Sequence, residues 1–289
     1  MSKDGSMRRW RLWLPLVVSC LLTTSCSLAR LGYDFFPTWA MWQIDGYLSL
    51  DGDQRLIANR RLNELHDWHR RGQLPEYVAF IRSLKQRAPT SITEDEAAQI
   101  RQKTLAAWLP VAEKMAPGMA ELLLTVQPSQ VLQMRQEFIK ANRKQRAEYL
   151  PSDRLAARAD RTRKRFTYFL GDLSDEQERQ LRQMTDAMPA NEEIWLAERE
   201  ARQQRFLILV EQLIKERPAV AVAERLARDY LVSMWSSQDP QRRQRLDEAS
   251  RASDRMTAKM LAQVSPDQHS QLSSRLLDWE QTFIQMTRP

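Results

Sequence analysis

Glycine is scarce, with seven residues in 289. Tight hairpins draw heavily on glycine, so an all-β fold is not expected. Cysteine is scarcer. The only two, Cys20 and Cys26, fall close to the amino end, and everything after them lacks the means for a disulfide, a thiolate zinc site or thiol catalysis. Long apolar runs are missing too. The stretch from Leu12 to Leu22 is interrupted by Pro15 and is too short for a bilayer-spanning helix, which needs about 20 residues. No nucleophile elbow, phosphate-binding loop or dinucleotide fingerprint occurs, so neither an enzyme nor a cofactor is expected.

The chain does have enough apolar residues, 43%, to build a core, and enough charged ones, 28%, to face water. A chain of this size buries about 70% or more of its unfolded surface on folding. Apolar residues recur at helical spacing between the prolines. Leu272, Leu276, Trp279, Phe283 and Met286 form one stripe, as do Val131, Met134, Phe138 and Ala141. No alternating pattern competes with them. The expected fold is an all-α helical bundle of about ten helices.

The amino end reads as an export signal. Lys3, Arg8, Arg9 and Arg11 precede the apolar run, and small residues follow it up to Cys26. Either Met1 or Met7 could start the chain. The segment resembles the lipobox of bacterial lipoproteins. Cys20 fits that pattern slightly better at the third position back, but Cys26 leaves room for a longer apolar region and is the expected acylation site; the alternative is an ordinary signal peptide with release of the product. Ser27, rather than Asp, implies sorting to the outer membrane in lipoproteins of this type. The resulting layout is a lipoprotein signal peptide at 1–25, an aromatic segment near the anchor at 26–50, and helical halves at 51–150 and 151–289. The mature charge is about +4; residues 140–165 alone hold +7, and the rest of the mature chain sums to −3. That local basicity suits acidic lipid, polyanionic envelope polymer or an acidic protein face, whereas nucleic acid is not an expected partner in the periplasm.

Four helix starts share one formula: Leu50 to Gln54, Val126 to Gln130, Leu173 to Gln177 and Val264 to Gln268. Asp51, Ser174 and Ser265 are placed to cap, and Gln54, Gln177 and Gln268 to reach back to the cap amide, which is a capping box. Gln127 is a poorer cap. Trp108 and Trp235, and the basic segments ending in Pro89 and Pro218, recur in the same order around the glutamines, so a tandem duplication is expected, with chance reuse of caps as its alternative.

Two resemblances follow. Cys26-Ser27, Leu31, Tyr33, Tyr47, Leu50 to Gln54, Trp68-His69-Arg70, Leu74-Pro75, Tyr77, Gly171 to Gln177 and Trp195-Leu196 resemble an uncharacterised family of Gram-negative envelope lipoproteins; this implies location and fold, not activity. The glutamine formula resembles, more distantly, the paired LTxxQ motifs of Spy/CpxP-type periplasmic chaperones, although no copy here has Thr at the second position. The expected function is therefore non-enzymatic binding of envelope proteins or non-native polypeptides by an outer-membrane-anchored holdase. A scaffold for one envelope partner is the second reading and an envelope hydrolase the third.

Arg154, Arg158, Arg161 and Arg165 form a cationic stripe beside Phe166 and Phe169. This is either a partner-binding face or, more commonly for charge runs, a solvated surface neutralised by neighbouring acids. His66 and His69 share a helix face and are weak metal-ligand candidates, because no third ligand is evident; His269 falls on an apolar stripe, as a core histidine would. Phe35, Phe36, Trp39 and Trp42 suit either the bilayer interface or the bundle, with the bundle favoured. Met184, Met188, Met256 and Met260 are expected in the core more than on an adaptable client surface.

Overall fold

A computed structural model describes residues 24–87, 91–150 and 153–288. Residues 1–23, Cys20 and most of the expected signal peptide among them, lie outside the described residues. Cys26 falls in the first described helix.

The described residues form helices and connections without a strand. In chain order the helices are α1 (Thr24–Asp34), α2 (Phe36–Leu48), α3 (Gly52–Trp68), α4 (Leu74–Arg87), α5 (Glu94–Ala106), α6 (Trp108–Leu123), α7 (Pro128–Tyr149), α8 (Arg154–Leu170), α9 (Asp175–Asp186), α10 (Glu192–Glu216), α11 (Val220–Ser233), α12 (Pro240–Leu261) and α13 (Pro266–Thr287). Three joins merge these segments into ten rods. Backbone bonds from Phe35 to Leu31 and from Trp39 to Phe35 carry α1 into α2. A π-helical turn, His69–Gln73, carries α3 into α4. Only Ala107 separates α5 from α6. The count expected from periodicity is met, and among the described residues no helix is long and apolar enough to cross a membrane.

The helix starts form as their residue types dictate. Asp51 Oδ1 accepts from the Gln54 amide at 2.9 Å, and Ser174 and Ser265 accept from Gln177 and Gln268, each at 3.2 Å. Thr93 and Glu96 close a further capping box at α5 that the shared formula does not include.

The packing crosses the division between the two halves. The most extensive contacts join α6 to α11 and α4 to α13. Each has a counterpart: α12 on α5, and α10 on α7. Within the halves, α2 packs on α3 and α7 as α8 packs on α9 and α13, and α3 meets α6 as α9 meets α12. Trp108 and Trp235 meet edge to face, with centroids 5.7 Å apart. Helix α1 has no counterpart and lies on α13.

Small residues set the closest approaches. Ala112, Ala116 and Ala120 on α6 and Ala223 and Ala227 on α11 are all buried in the larger core cluster, which lets the two backbones come together. Gly118 does the same where α6 meets α3: a Cβ there would stand 2.9 Å from Arg61 Cβ. A smaller cluster, Phe166, Leu170, Leu181, Met256 and Met260, holds α8, α9 and α12.

Candidate functional site

The capping glutamines meet in pairs across each half. Gln54 Nε2 donates to Gln130 Oε1 at 3.1 Å, and Gln130 Nε2 donates to Gln54 Oε1 at 2.7 Å. Gln177 and Gln268 make the same reciprocal pair at 2.9 Å in both directions. The second N–H of each amide goes to a carbonyl at the end of, or just after, the helix that precedes its partner's helix: Gln54 to Thr125 O, Gln130 to Leu48 O, Gln177 to Gln263 O and Gln268 to Asp172 O. Each Oε1 also accepts from its own cap position, at Asp51, Gln127, Ser174 or Ser265. Every amide donor and both lone-pair directions are therefore used. A fully satisfied buried network fixes geometry, whereas a half-satisfied one is costly. Gln127 closes only its half of the box, its own side chain turning to Thr125 O. The result is two clasps, each locking two helix starts together.

A cleft lies near each clasp: the first opens among α2, α3, α6 and α7, whereas the second is enclosed by α8, α12 and α13 together with α4 and α5, and α9 does not line it. The first, about 310 Å³, is lined by Ile44 and Tyr47, by Met115, Met119 and Met134, and by Phe138. Arg61, Glu64 and Lys114 stand at its edge. The second, about 360 Å³, is lined by Leu261, Leu272 and Leu276, but also by Arg101, Arg165, Asp254 and His269. The two are in register. Met119 and Thr257 occupy equivalent places before Gln130 and Gln268, and Met134 and Leu272 equivalent places after them, as do Phe138 and Leu276. Ala116 corresponds to Asp254. Asp254 is buried, and Arg101 grips it with Nε at 3.0 and 3.1 Å and Nη2 at 2.8 Å. That hydrogen-bonded pair holds the Arg101 guanidinium above its ordinary pKa.

The cationic stripe is mostly spoken for. Arg158 forks onto Glu192 at 2.7 and 2.6 Å and donates to Met188 O. Arg154 pairs with Glu193, while Arg161 lies 3.8 Å from Glu192 and over the Tyr149 ring. Burial pushes the Glu192 carboxyl up, but the hydrogen bonds and charge of Arg158, together with backbone N–H donors at Glu192 and Asn191, outweigh it and lower its pKa. Arg165 alone of the four makes no ion pair among the described residues. Phe166 is buried in the smaller core cluster and Phe169 packs against it and Trp279, so neither ring is offered to a partner. Met256 and Met260 are buried in that cluster too, with Met184 and Met188 against it.

His66 and His69 are engaged with α1. The buried His66 donates from Nε2 to Tyr33 O at 3.0 Å, and His69 Nδ1 lies 3.0 Å from the Tyr33 hydroxyl. Burial lowers the pKa of both imidazoles, with Arg70 adding to the effect on His66 and His66 on His69. Burial also pushes Tyr33 up to about 12 against the opposing charge of Arg70. Arg70 sits over the Tyr33 ring and bonds Asp34. His66, His69 and Arg70 thus dock α1 onto the end of α3 and the π-helical turn. Among the described residues no group of three or more His, Cys, Asp or Glu is placed to hold a metal ion.

The sequence pattern did not reveal one charged knot. Glu198, fully buried, accepts from Ser237 Oγ at 2.5 Å and from Arg202, Arg205 and Arg242 at 3.1 to 3.3 Å. Burial pushes its carboxyl up, but the Ser237 hydrogen bond and the arginines overcome this and hold it below the usual glutamate value. Arg202 and Arg205 follow it by four and seven residues on the same helix, a spacing visible in the sequence, but Ser237 and Arg242 arrive from elsewhere along the chain and nothing in local spacing announces them. The clefts escaped for the same reason, although Met115 and Met119, four apart on α6, are a local trace of the first.

The fold and site define a class: an all-α bundle held by two paired-glutamine clasps, each beside an open cleft. The chain belongs to the family of unknown function DUF6279, whose model matches residues 46–238. The match takes in both arms of the first clasp and Gln177 of the second. No curated protein and no solved structure matches the chain.

Proposed function

We propose that this chain is a lipid-anchored, non-catalytic protein of the outer membrane, facing the periplasm, that holds apolar segments of other envelope polypeptides. The first cleft carries the reading. It is open and overwhelmingly apolar, and three methionines line it. Thioether side chains adapt to varied apolar shapes, and a charged edge keeps such a surface soluble until it is filled. Acylation at Cys26 would keep the body at the membrane. The outward arginines of the stripe, Arg154, Arg161 and Arg165, would add attraction for acidic segments of a client.

The purified acylated chain should suppress aggregation of a denatured envelope protein without ATP. Met119→Trp, which fills the cleft, should weaken that suppression while leaving helicity intact. Equal suppression by the variant would overturn the assignment to this cleft, and no suppression at stoichiometric ratio would overturn the holdase itself. A scaffold for one partner is the second reading. The second cleft favours it, because a fixed Arg101–Asp254 pair selects ligand chemistry more narrowly than methionine does. A single dominant crosslinked species, rather than a spread of clients, would decide for the scaffold.

A further inference from the structure

The rod made by α1 and α2 is apolar on two sides, and the bundle covers only one. Ala40, Met41 and Leu48 are buried, with Ile44 and Tyr47 packed against the same core. On the other side Leu31, Phe35, Trp39 and Trp42 are 63, 46, 48 and 61% exposed. At 3.6 residues per turn these four fall within one narrow stripe. Phe36 flanks them. The rings are already ordered on one another: Phe35 meets Trp42 edge to face at 5.2 Å, and Phe36 lies 5.9 Å from Trp39. The sequence favoured packing of these rings in the bundle. The structure differs because smaller side chains on the opposite face already fill the contact with α3 and α7.

We infer that this stripe docks on the surface of a lipid bilayer, its aromatic rings lying at the headgroup level. Three observations select that occupant. The exposed rings are dominated by tryptophan and phenylalanine, and tryptophan concentrates at the membrane–water interface because its ring is apolar and its N–H polar. No Lys, Arg, Asp or Glu occurs from Phe35 to Ile44, so the ring-bearing part of the stripe is uncharged, and Asp34 beside it is paired with Arg30 and Arg70. The stripe also follows closely on the basic and apolar stretch from Arg8 to Leu22, and begins five residues after Cys26. The inference extends the anchored reading above: the acyl group would tether the body, and the stripe would fix its orientation, with α1 held to the body by Tyr33, His66, His69 and Arg70.

The test uses tryptophan fluorescence of the full chain, isolated from envelopes and reconstituted into phosphatidylethanolamine and phosphatidylglycerol vesicles with dibrominated acyl chains. Palmitate incorporation is read on the same preparation. Brominated lipid should quench part of the wild-type emission. That quenched part should be lost in Trp39→Phe/Trp42→Phe and retained in Trp195→Phe, with helicity unchanged in both. Quenching that survives the double substitution overturns the inference. So does the absence of quenching in a chain that carries palmitate, and in that case the anchor stands. Quenching of the Trp39 and Trp42 component in a chain without palmitate supports the docking and overturns the anchor. Neither quenching nor palmitate overturns both.

Discussion

The two clasps are alike to within a few tenths of an ångström, but the clefts beside them are not. In the first half the clasp borders a methionine-lined surface, with Ala116 buried below and Gly118 letting α3 close on α6. In the second the same register holds Asp254 and Met256. A buried carboxylate needs a counter-charge, and Arg101 supplies it from α5. The difference shows that helix-start chemistry builds the frame and single residues beneath it set what the cleft can hold. One frame accommodates both because the clasp satisfies its own polar groups and asks nothing of the floor.

The comparison breaks most sharply if the second half's chemistry is moved to the first. Ala116→Asp places a carboxylate in the core without a built partner, and should cost about 3–5 kcal/mol of unfolding free energy, read by urea denaturation. A small effect would mean that the first cleft already offers a counter-charge. Glu198→Gln strips the charge that three arginines share, and should cost roughly 3 kcal/mol. A midpoint unchanged in urea would show that those arginines relax freely into water.

Next come the clasps. Gln54→Leu and Gln177→Leu each leave a partner amide (half-buried at Gln130, buried at Gln268) and a cap N–H unmet, and each should cost about 2–3 kcal/mol. Similar losses in the two halves would sharpen the equivalence, and losses differing severalfold would dissolve it. Gly118→Val should force α3 and α6 apart, costing roughly 1–3 kcal/mol and widening the first cleft only. Met256→Gly at the matching place should instead leave a cavity, with no approach of α9 to α12.

The smallest expected effect is pH-dependent and confined to α1. Both histidines are held below their ordinary pKa by burial. The unfolded segment therefore binds protons first, so the stabilisation is complete above an unfolded pKa of about 6.5 and declines as pH falls from there through the folded values. Amide exchange in α1 should speed up on acidification over that window, before the carboxylates titrate. His66→Gln should remove most of that response, and exchange that stays flat with pH would refute the link.

Much of the fold was legible. The stripe through Leu272, Leu276 and Trp279 and the four glutamine starts follow from periodicity and capping, both local effects. The pairing of Gln54 with Gln130 across 76 residues was not legible, although both members were singled out; a capping box explains a glutamine without any distant partner. The stripe from Arg154 to Arg165 was visible as charge, but Glu192 and Glu193, which take up most of it, come from another helix. Phe166, which the sequence groups with the partner-binding arginines, is instead buried in the smaller core cluster, because α9 and α12 meet that side of its helix.

By itself, then, the sequence determined the helices, their starts, their apolar stripes and the thiol-free body, because each depends on residues within a turn or two of one another. The tertiary structure alone decided that glutamines clasp in pairs, that one cleft stays apolar while its counterpart holds an ion pair, and that Trp39 and Trp42 face outward. Those outcomes depend on which faces meet, and an amphipathic pattern names a face without naming the partner that covers it.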